Sequence, residues 1–201
     1  MEDYATRSAH IARVISRVTN PGILSVIILL SIAYTESSSV HILASSVAVV
    51  LVFLVILPLF FVYMRTSRGR NRMENLTIIL KQHPRDILIL GLLLGLPCLV
   101  ILIFLKAPTL LLYTLGILLV GSTVIALFNI FYRVSYHLAA FIILVIMAAL
   151  VWGEILLIFL ATIPLLGWAK YQVREHTVAQ LTTGVALSMA ITGATWYLLI
   201  R

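Results

Sequence analysis

Seven apolar runs occupy most of this chain, and they constrain its fold more than any other feature. An α-helix rises about 1.5 Å per residue, so about 20 apolar residues are needed to cross a hydrocarbon core of about 30 Å. In lipid, a continuous apolar run must satisfy its own backbone polar groups, and a helix does so. The sequence therefore predicts an all-α membrane helix bundle of about seven spans. The runs cover residues 21–34, 40–64, 86–105, 109–131, 137–152, 154–168 and 177–200.

The composition disfavours several other classes of protein. Hydrophobic residues make up 62% of the 201 residues and charged residues only 10%, against about 25% charged in an ordinary soluble domain. These polar side chains are too few to coat a water-soluble globule, so a soluble enzyme, a secreted disulfide scaffold and a nucleic-acid binder all fit poorly. Cys98 is the only cysteine, which excludes an intrachain disulfide and a cysteine-clustered metal site.

The basic residues indicate how the spans are oriented. Lys and Arg concentrate in the short cytoplasmic loops of membrane proteins. With a cytoplasmic N-terminus, 12 of the 14 basic residues fall in cytoplasmic segments, and only Lys106 and Arg201 lie outside. The sequence thus predicts an integral protein of the plasma (inner) membrane whose N-terminus and polar loops face the cytoplasm.

Two further patterns concern the organisation of the chain. Between residues 11 and 18, apolar side chains recur at helical spacing around Arg13 and Arg17. This pattern predicts that residues 1–20 form an amphipathic helix on the membrane surface, ahead of a transmembrane domain over residues 21–201. Small residues four positions apart predict close helix packing. The pairs are Gly91 with Gly95 and Gly184 with Ser188.

Three of the predicted cytoplasmic segments carry polar groups that a membrane anchor does not need. Two of them bring a histidine, His137 and His176, to the start of a span, near the depth of the lipid headgroups. Imidazoles serve in proton transfer and nucleophilic attack, and guanidinium and ammonium groups bind phosphate. Because the three segments lie on the same predicted side of the membrane, all three can contribute to one phosphate site. The segments cover residues 65–86, 129–137 and 169–180.

Two of these segments resemble signatures of the type-2 phosphatidic acid phosphatase superfamily, integral membrane hydrolases of lipid phosphates and pyrophosphates. Ser135-Tyr136-His137 is similar to the second signature, Pro-Ser-Gly-His. Residues 169–180 are similar to the third, Ser-Arg-x5-His-x3-Asp. The resemblance covers about the last third of the chain, and it implies a six-helix phosphatase-like core.

The resemblance also implies roles for individual residues. His176 corresponds to the nucleophile and His137 to the acid that protonates the leaving group. Ser135 and Lys170 correspond to phosphate-binding residues, and Gln180 stands where the family has an aspartate that orients the nucleophile. A neutral amide can hold an imidazole but cannot stabilise an imidazolium as a carboxylate does. Loss of the equivalent carboxylate from a Ser-His-Asp triad costs about 10⁴ in rate.

The sequence departs from the family pattern at other positions. Val134, Tyr136 and Ala169 replace the proline, glycine and serine of the two signatures. The first signature, Lys-x6-Arg-Pro, is matched only by Arg65 and Arg72 at the right spacing, with methionine in place of the proline. Arg65 and Arg72 are therefore candidate phosphate ligands within an arginine-rich loop.

The resemblance implies a metal-independent hydrolysis through a phosphohistidine, with no cofactor. Basic side chains neutralise the phosphoryl oxygens in such a reaction, and Arg133 and Arg174 are further candidates for this role. The expected partners are membrane lipids, as a lipid phosphate substrate or a bound phospholipid, and not nucleic acid. The alternative is a non-catalytic relative that serves as a lipid-binding or structural subunit of a membrane complex. Self-association also stays open, whereas a transporter fits less well because no acidic residue lies in mid-span.

Overall fold

A computed structural model of the chain describes residues 2–66 and 84–200. No strand occurs in those residues, so the predicted all-α class is confirmed. A π-helical turn, Val52–Ile56, joins two of the helices, and a 3₁₀ helix, Glu154–Thr162, precedes another. The α-helices are α1 (Glu2–Val18), α2 (Pro21–Glu36), α3 (Val40–Leu51), α4 (Leu57–Thr66), α5 (Pro84–Phe104), α6 (Thr109–Phe131), α7 (Tyr136–Trp152), α8 (Ile163–Gln172) and α9 (Val178–Ile200).

Four helical stretches are long and apolar enough to cross a membrane, which is compatible with an integral membrane protein. Three further apolar helices within the described residues are shorter. Each of the seven predicted runs is thus helical, but the number of spans stays a prediction. The long stretches are His10–Glu36, Val40–Phe61, Thr109–Phe131 and Glu154–Gln172; the shorter ones are Gly91–Phe104, Tyr136–Trp152 and Val178–Ala194.

The chain divides into two compact units, of which one comprises Val26–Ile130. In this unit the π-helical turn ends two residues before Pro58, whose ring would clash with the preceding turn of a regular α-helix. Gly95 of α5 packs against the side chain of Leu119 on α6. Gly95 therefore has the close-packing role that the sequence predicts for it, whereas a Cβ atom at Gly91, the other member of the predicted pair, would have no atom within 4 Å.

The second unit comprises Met1–Ser25 and Phe131–Arg201, and α7 forms its core. Helix α9 packs along α7, and α1 packs along α8. The apolar side chains at the centre come from three helices, which explains why α7 is apolar on all sides. The buried cluster consists of Leu138, Phe141, Val145, Leu166 and Leu181.

Helix α1 contributes to this core with part of its surface. Ala12 is fully buried, and Ile15 packs against the central cluster. Three other apolar side chains of the predicted amphipathic face, Ile11, Val14 and Val18, are exposed. Ile15 therefore packs in the protein interior, although the sequence groups it with the membrane-facing residues. The position of α1 on a membrane surface stays a prediction.

Glycines permit two close or unusual arrangements in the second unit. A Cβ atom at Gly184 would lie 3.0 Å from Val134 Cγ1 and 3.3 Å from the Ser135 carbonyl oxygen, so α9 approaches the start of α7 at this point. Gly153 has φ +112°, a conformation that L side chains rarely adopt. It allows the chain to leave α7 and enter the 3₁₀ helix directly.

Candidate functional site

The turn between α8 and α9 begins with a Schellman motif. The amide of Arg174 donates to the carbonyl oxygen of Tyr171 at 2.9 Å, and the amide of Glu175 donates to that of Lys170 at 3.1 Å. Arg174 has φ +53°, in the left-handed region that glycine usually occupies at this position. Arginine there costs about 1 kcal/mol in backbone strain, but its charge interacts favourably with the helix C-terminus. The arginine side chain is exposed.

An ion pair stabilises the same turn. The Lys170 ammonium donates to Glu175 Oε2 at 2.8 Å, with side chains that are only 10% and 27% exposed. In a Schellman motif these two positions are brought together and often make an apolar contact. Here the contact is ionic. Lys170, predicted to bind phosphate, therefore already has a carboxylate partner, and a phosphate would have to compete with Glu175.

Helix α9 begins with a capping box, two positions after Glu175. The amide of Gln180 donates to Thr177 Oγ1 at 3.3 Å, and the amide of Thr177 donates to Gln180 Oε1 at 3.1 Å. Such reciprocal bonds satisfy two amides that have no partner within the helix. Gln180 therefore has a structural role in this chain besides its position next to His176.

His176 is the one residue between these two motifs. Its ring is half-buried, and Nδ1 finds no hydrogen-bond partner among the described residues. Burial lowers the pKa of His176 below its usual range, which outweighs the opposite effects of the Gln180 side chain and the Glu175 carboxylate. Lys170 and Arg133 lower this pKa further by charge repulsion. The lowered pKa favours the neutral imidazole, which is the form that a nitrogen nucleophile requires.

His137 lies in the first turn of α7, and its side chain contacts Thr19, the residue that follows α1. Its Nε2 is 3.3 Å from the Thr19 hydroxyl oxygen, and the ring interacts electrostatically with Lys170, Glu175 and His176. The structure thus brings His137, His176 and Lys170 into one neighbourhood. All belong to the second unit of the chain.

Ser135 precedes α7 at the N-cap position, where serine hydroxyls usually bond to helix amides. No such bond forms, and Ser135 Oγ is buried without a hydrogen-bond partner among the described residues. The approach of Gly184 to the Ser135 backbone accounts for this burial. The hydroxyl is therefore closed to solvent at the start of α7.

An open cleft of about 570 Å³ lies over the turn. It is polar, with a guanidinium, an imidazole and two side-chain amides in its wall, a donor set suited to an anion. An apolar groove of about 650 Å³ between α8 and α9 shares Tyr171 with the cleft. The two together could accommodate an amphiphile. The cleft is lined by Tyr171, Gln172, Arg174, Glu175, His176, Thr177 and Gln180.

The remaining candidates have different positions. Arg133 is exposed and close enough to act on the His176 charge. Arg65 lies at the end of α4 in the other unit, and Arg72 lies outside the described residues. Of the predicted site residues, Arg174, His176 and Gln180 line the cleft, and His137, Lys170 and Arg133 lie within electrostatic range of His176.

Two contributors to the site are absent from the sequence-based set. Glu175 pairs with Lys170 because the turn brings together residues that are five positions apart. A glycine at position 174 would have indicated this turn in the sequence, but the residue there is arginine. Thr19 contacts His137 across 118 positions of the sequence, a separation that no local pattern reveals. Pro21, at the first position of α2, does indicate that α1 ends near Thr19.

Comparison of the chain with models of protein families, with curated proteins and with solved structures finds no match. Any function for this chain must therefore be inferred from the geometry and chemistry of its own residues.

Proposed function

We propose that this chain is a divergent lipid phosphate phosphatase-like membrane protein with His176 as its nucleophile. The observation that carries the proposal is the half-buried, neutral imidazole of His176 in a polar cleft beside Arg174, with His137 within electrostatic range. The adjoining apolar groove supports an amphiphilic substrate, because one molecule could extend from the cleft into the groove.

In the proposed reaction, His176 attacks phosphorus and forms a phosphohistidine as the bond from phosphorus to the lipid oxygen breaks. His137 must first be protonated, and it then gives that proton to the departing alkoxide. The neutral His137 then takes a proton from water, whose oxygen attacks the phosphohistidine and releases phosphate. Arg174 and Arg133 neutralise the phosphoryl oxygens, which lowers the energy of the charged transition state. No metal has a role in these steps.

The resemblance implies that Lys170 and Ser135 bind phosphate directly. In this structure each would do so only after a rearrangement. Lys170 is paired with Glu175 at 2.8 Å, so it reaches phosphate only if the anion displaces that carboxylate. Ser135 Oγ is buried and unbonded, so it is available if the start of α7 shifts toward the cleft. The phosphate-binding roles of Arg65, at the end of α4, and of Arg72, outside the described residues, stay predictions from the sequence.

The proposed membrane arrangement has seven spans, with the three shorter apolar helices completing the four long ones. Within the first long stretch only α2 serves as the span, and the exposed Ile11, Val14 and Val18 of α1 lie in the lipid interface, as an amphipathic surface helix requires. The distribution of 12 of 14 basic residues favours a cytoplasmic N-terminus and a site facing the cytoplasm. The protein is then an integral component of the plasma (inner) membrane.

Phosphate release tests the proposal. The full chain in detergent, with EDTA present, is expected to release phosphate from at least one of phosphatidate, phosphatidylglycerophosphate and polyprenyl phosphate. EDTA is not expected to reduce the rate, because histidine and basic side chains carry the chemistry. Release at the level without enzyme for all three lipids, from protein shown to be folded, would contradict the proposal.

A second candidate function is a non-catalytic lipid-binding or structural subunit of a membrane complex. The Lys170–Glu175 ion pair favours it, because a carboxylate already satisfies the predicted phosphate-binding ammonium. The use of Gln180 in a capping box favours it too, since the helix alone accounts for this residue. Binding of phospholipid without phosphate release would support this second function.

Replacing Gln180 with glutamate is expected to raise the rate of phosphate release by about tenfold or more. Glutamate is a regular capping-box residue, so the bonds to Thr177 persist. Its carboxylate would stabilise the cation that develops on His176. The rate is measured on the lipid phosphate that the unmodified chain hydrolyses.

Ala179→Glu is the matched control, because it adds the same charge to the first turn of α9 at an exposed position outside the wall of the cleft. It should not reproduce the gain. An unchanged or lower rate in folded Gln180→Glu would contradict the role assigned to Gln180.

A further inference from the structure

The end of α1 makes a side-chain contact with the proposed acid. Thr19 Oγ1 lies 2.7 Å from the carbonyl oxygen of Ile15 and 3.3 Å from His137 Nε2. Thr19 and His137 are both half-buried, so water competes little for these bonds. The hydroxyl is therefore shared between a backbone acceptor and an imidazole nitrogen.

Counting protons assigns the direction of each bond. A threonine hydroxyl has one proton, and a carbonyl oxygen only accepts. The 2.7 Å contact with Ile15 therefore uses the Thr19 proton, since two oxygen lone pairs would otherwise face each other at that distance. The hydroxyl must then accept from His137, whose Nε2 carries a hydrogen. In the neutral ring, the free lone pair is at Nδ1.

We propose that Thr19 is a positioning residue that holds His137 in the Nε2–H tautomer, so that Nδ1 exchanges the proton with the substrate. This inference rests on the proposed function for its catalytic consequence. The Nδ1 proton of the imidazolium passes to the lipid alkoxide, and the neutral Nδ1 later takes a proton from water. The Nε2 proton stays on the bond to Thr19 throughout both steps.

Other contacts of α1 hold Thr19 in place. The side-chain amide of Gln172 donates to Ser8 Oγ at 3.0 Å, in the N-terminal half of α1. Ala12 is fully buried and Ile15 packs against the core cluster. Between Ser8 and Thr19, helix α1 is thus attached to the rest of the unit that contains the site. A fixed Thr19 can impose one tautomer, whereas a mobile hydroxyl would follow the ring.

Nitrogen NMR of the imidazole tests the tautomer directly. The full chain, ¹⁵N-labelled at histidine, is examined in detergent micelles at about pH 8, where ordinary histidines are neutral. His137 is assigned by the loss of its signals in His137→Gln. We expect a protonated Nε2 and an unprotonated Nδ1 in the unmodified chain and in Thr19→Ser. In Thr19→Val, which has a similar shape without the hydroxyl, the two nitrogens should approach the averaged shifts of mixed tautomers.

An Nδ1–H tautomer in the unmodified chain would overturn the proposal, as would a Thr19→Val spectrum identical to it. If Thr19→Val does not fold, the tautomer of the unmodified chain and of Thr19→Ser still decides the question. In phosphate release, Thr19→Val is expected to lower kcat by about 10- to 100-fold with little change in KM, and Thr19→Ser to restore it.

The NMR and kinetic measurements distinguish a failure of the positioning role of Thr19 from a failure of the proposed function. A single Nε2–H tautomer that Thr19→Val abolishes, in a chain that hydrolyses no lipid phosphate, would support the positioning role and contradict the proposed function. Active protein whose kcat is unchanged in Thr19→Val would contradict the role of Thr19 and leave the phosphatase proposal standing.

Discussion

His176→Asn is expected to reduce phosphate release to the level without enzyme, a loss of about 10⁴ or more, because the amide nitrogen of asparagine is not a nucleophile. Nδ1 of the ring is buried without a partner among the described residues, so the one interaction at risk is that of the ring with the Gln180 side chain, which also bonds to Thr177. The fold should therefore survive. Release is measured with EDTA present, and trapping with ³²P-labelled lipid should give an acid-labile phosphoprotein only in the unmodified chain.

His41→Asn is the matched control for this variant. His41 is an exposed histidine at the start of α3, outside the unit that holds the site, and its replacement should leave release unchanged. Activity that survives His176→Asn would show that the resemblance to the phosphatase signatures assigns the nucleophile to the wrong residue.

Gly184→Leu is expected to destabilise the protein by about 3 kcal/mol or more, as overpacking at a tight helix contact does. A Cβ atom there already lies 3.0 Å from Val134 Cγ1 and 3.3 Å from the Ser135 carbonyl oxygen, so the rest of the leucine has no space. Separation of α9 from the start of α7 would also move His137 away from His176. Thermal unfolding in detergent and phosphate release measure the two effects.

Gly193→Leu provides a control on the same helix. A Cβ at Gly193 has no atom within 4 Å, so leucine there should be neutral or slightly stabilising, because glycine is a poor helix former. Equal losses of stability in both variants would indicate a general intolerance of α9 to leucine. The close contact at Gly184 would then have no special role.

The helices of this chain could be predicted from its sequence because their apolar runs leave few alternatives in a bilayer. The start of α2 follows from Asn20 and Pro21, since the asparagine side chain accepts from the Gly22 amide at 2.9 Å and proline occupies the first helical position. The close packing at Gly184 and at Gly95 follows from the spacing of small residues.

The details of the site could not be predicted in the same way. Arg174 adopts a left-handed conformation without being a glycine, so the sequence does not reveal the Schellman turn that pairs Lys170 with Glu175. In the phosphatase signature Gln180 occupies the position of an aspartate, yet in the structure it forms a capping box with Thr177. The contact of Thr19 with His137 depends on tertiary packing alone.

The turn that holds His176 also limits how the chain can change in length. Glu175 completes the end of α8, and Thr177 begins α9, so His176 is the only residue that belongs to neither motif. Inserting or deleting one residue here would either break a cap or rotate α9 by about 100° relative to α8. Relatives of this chain should therefore tolerate exchanged side chains in this turn far better than insertions or deletions.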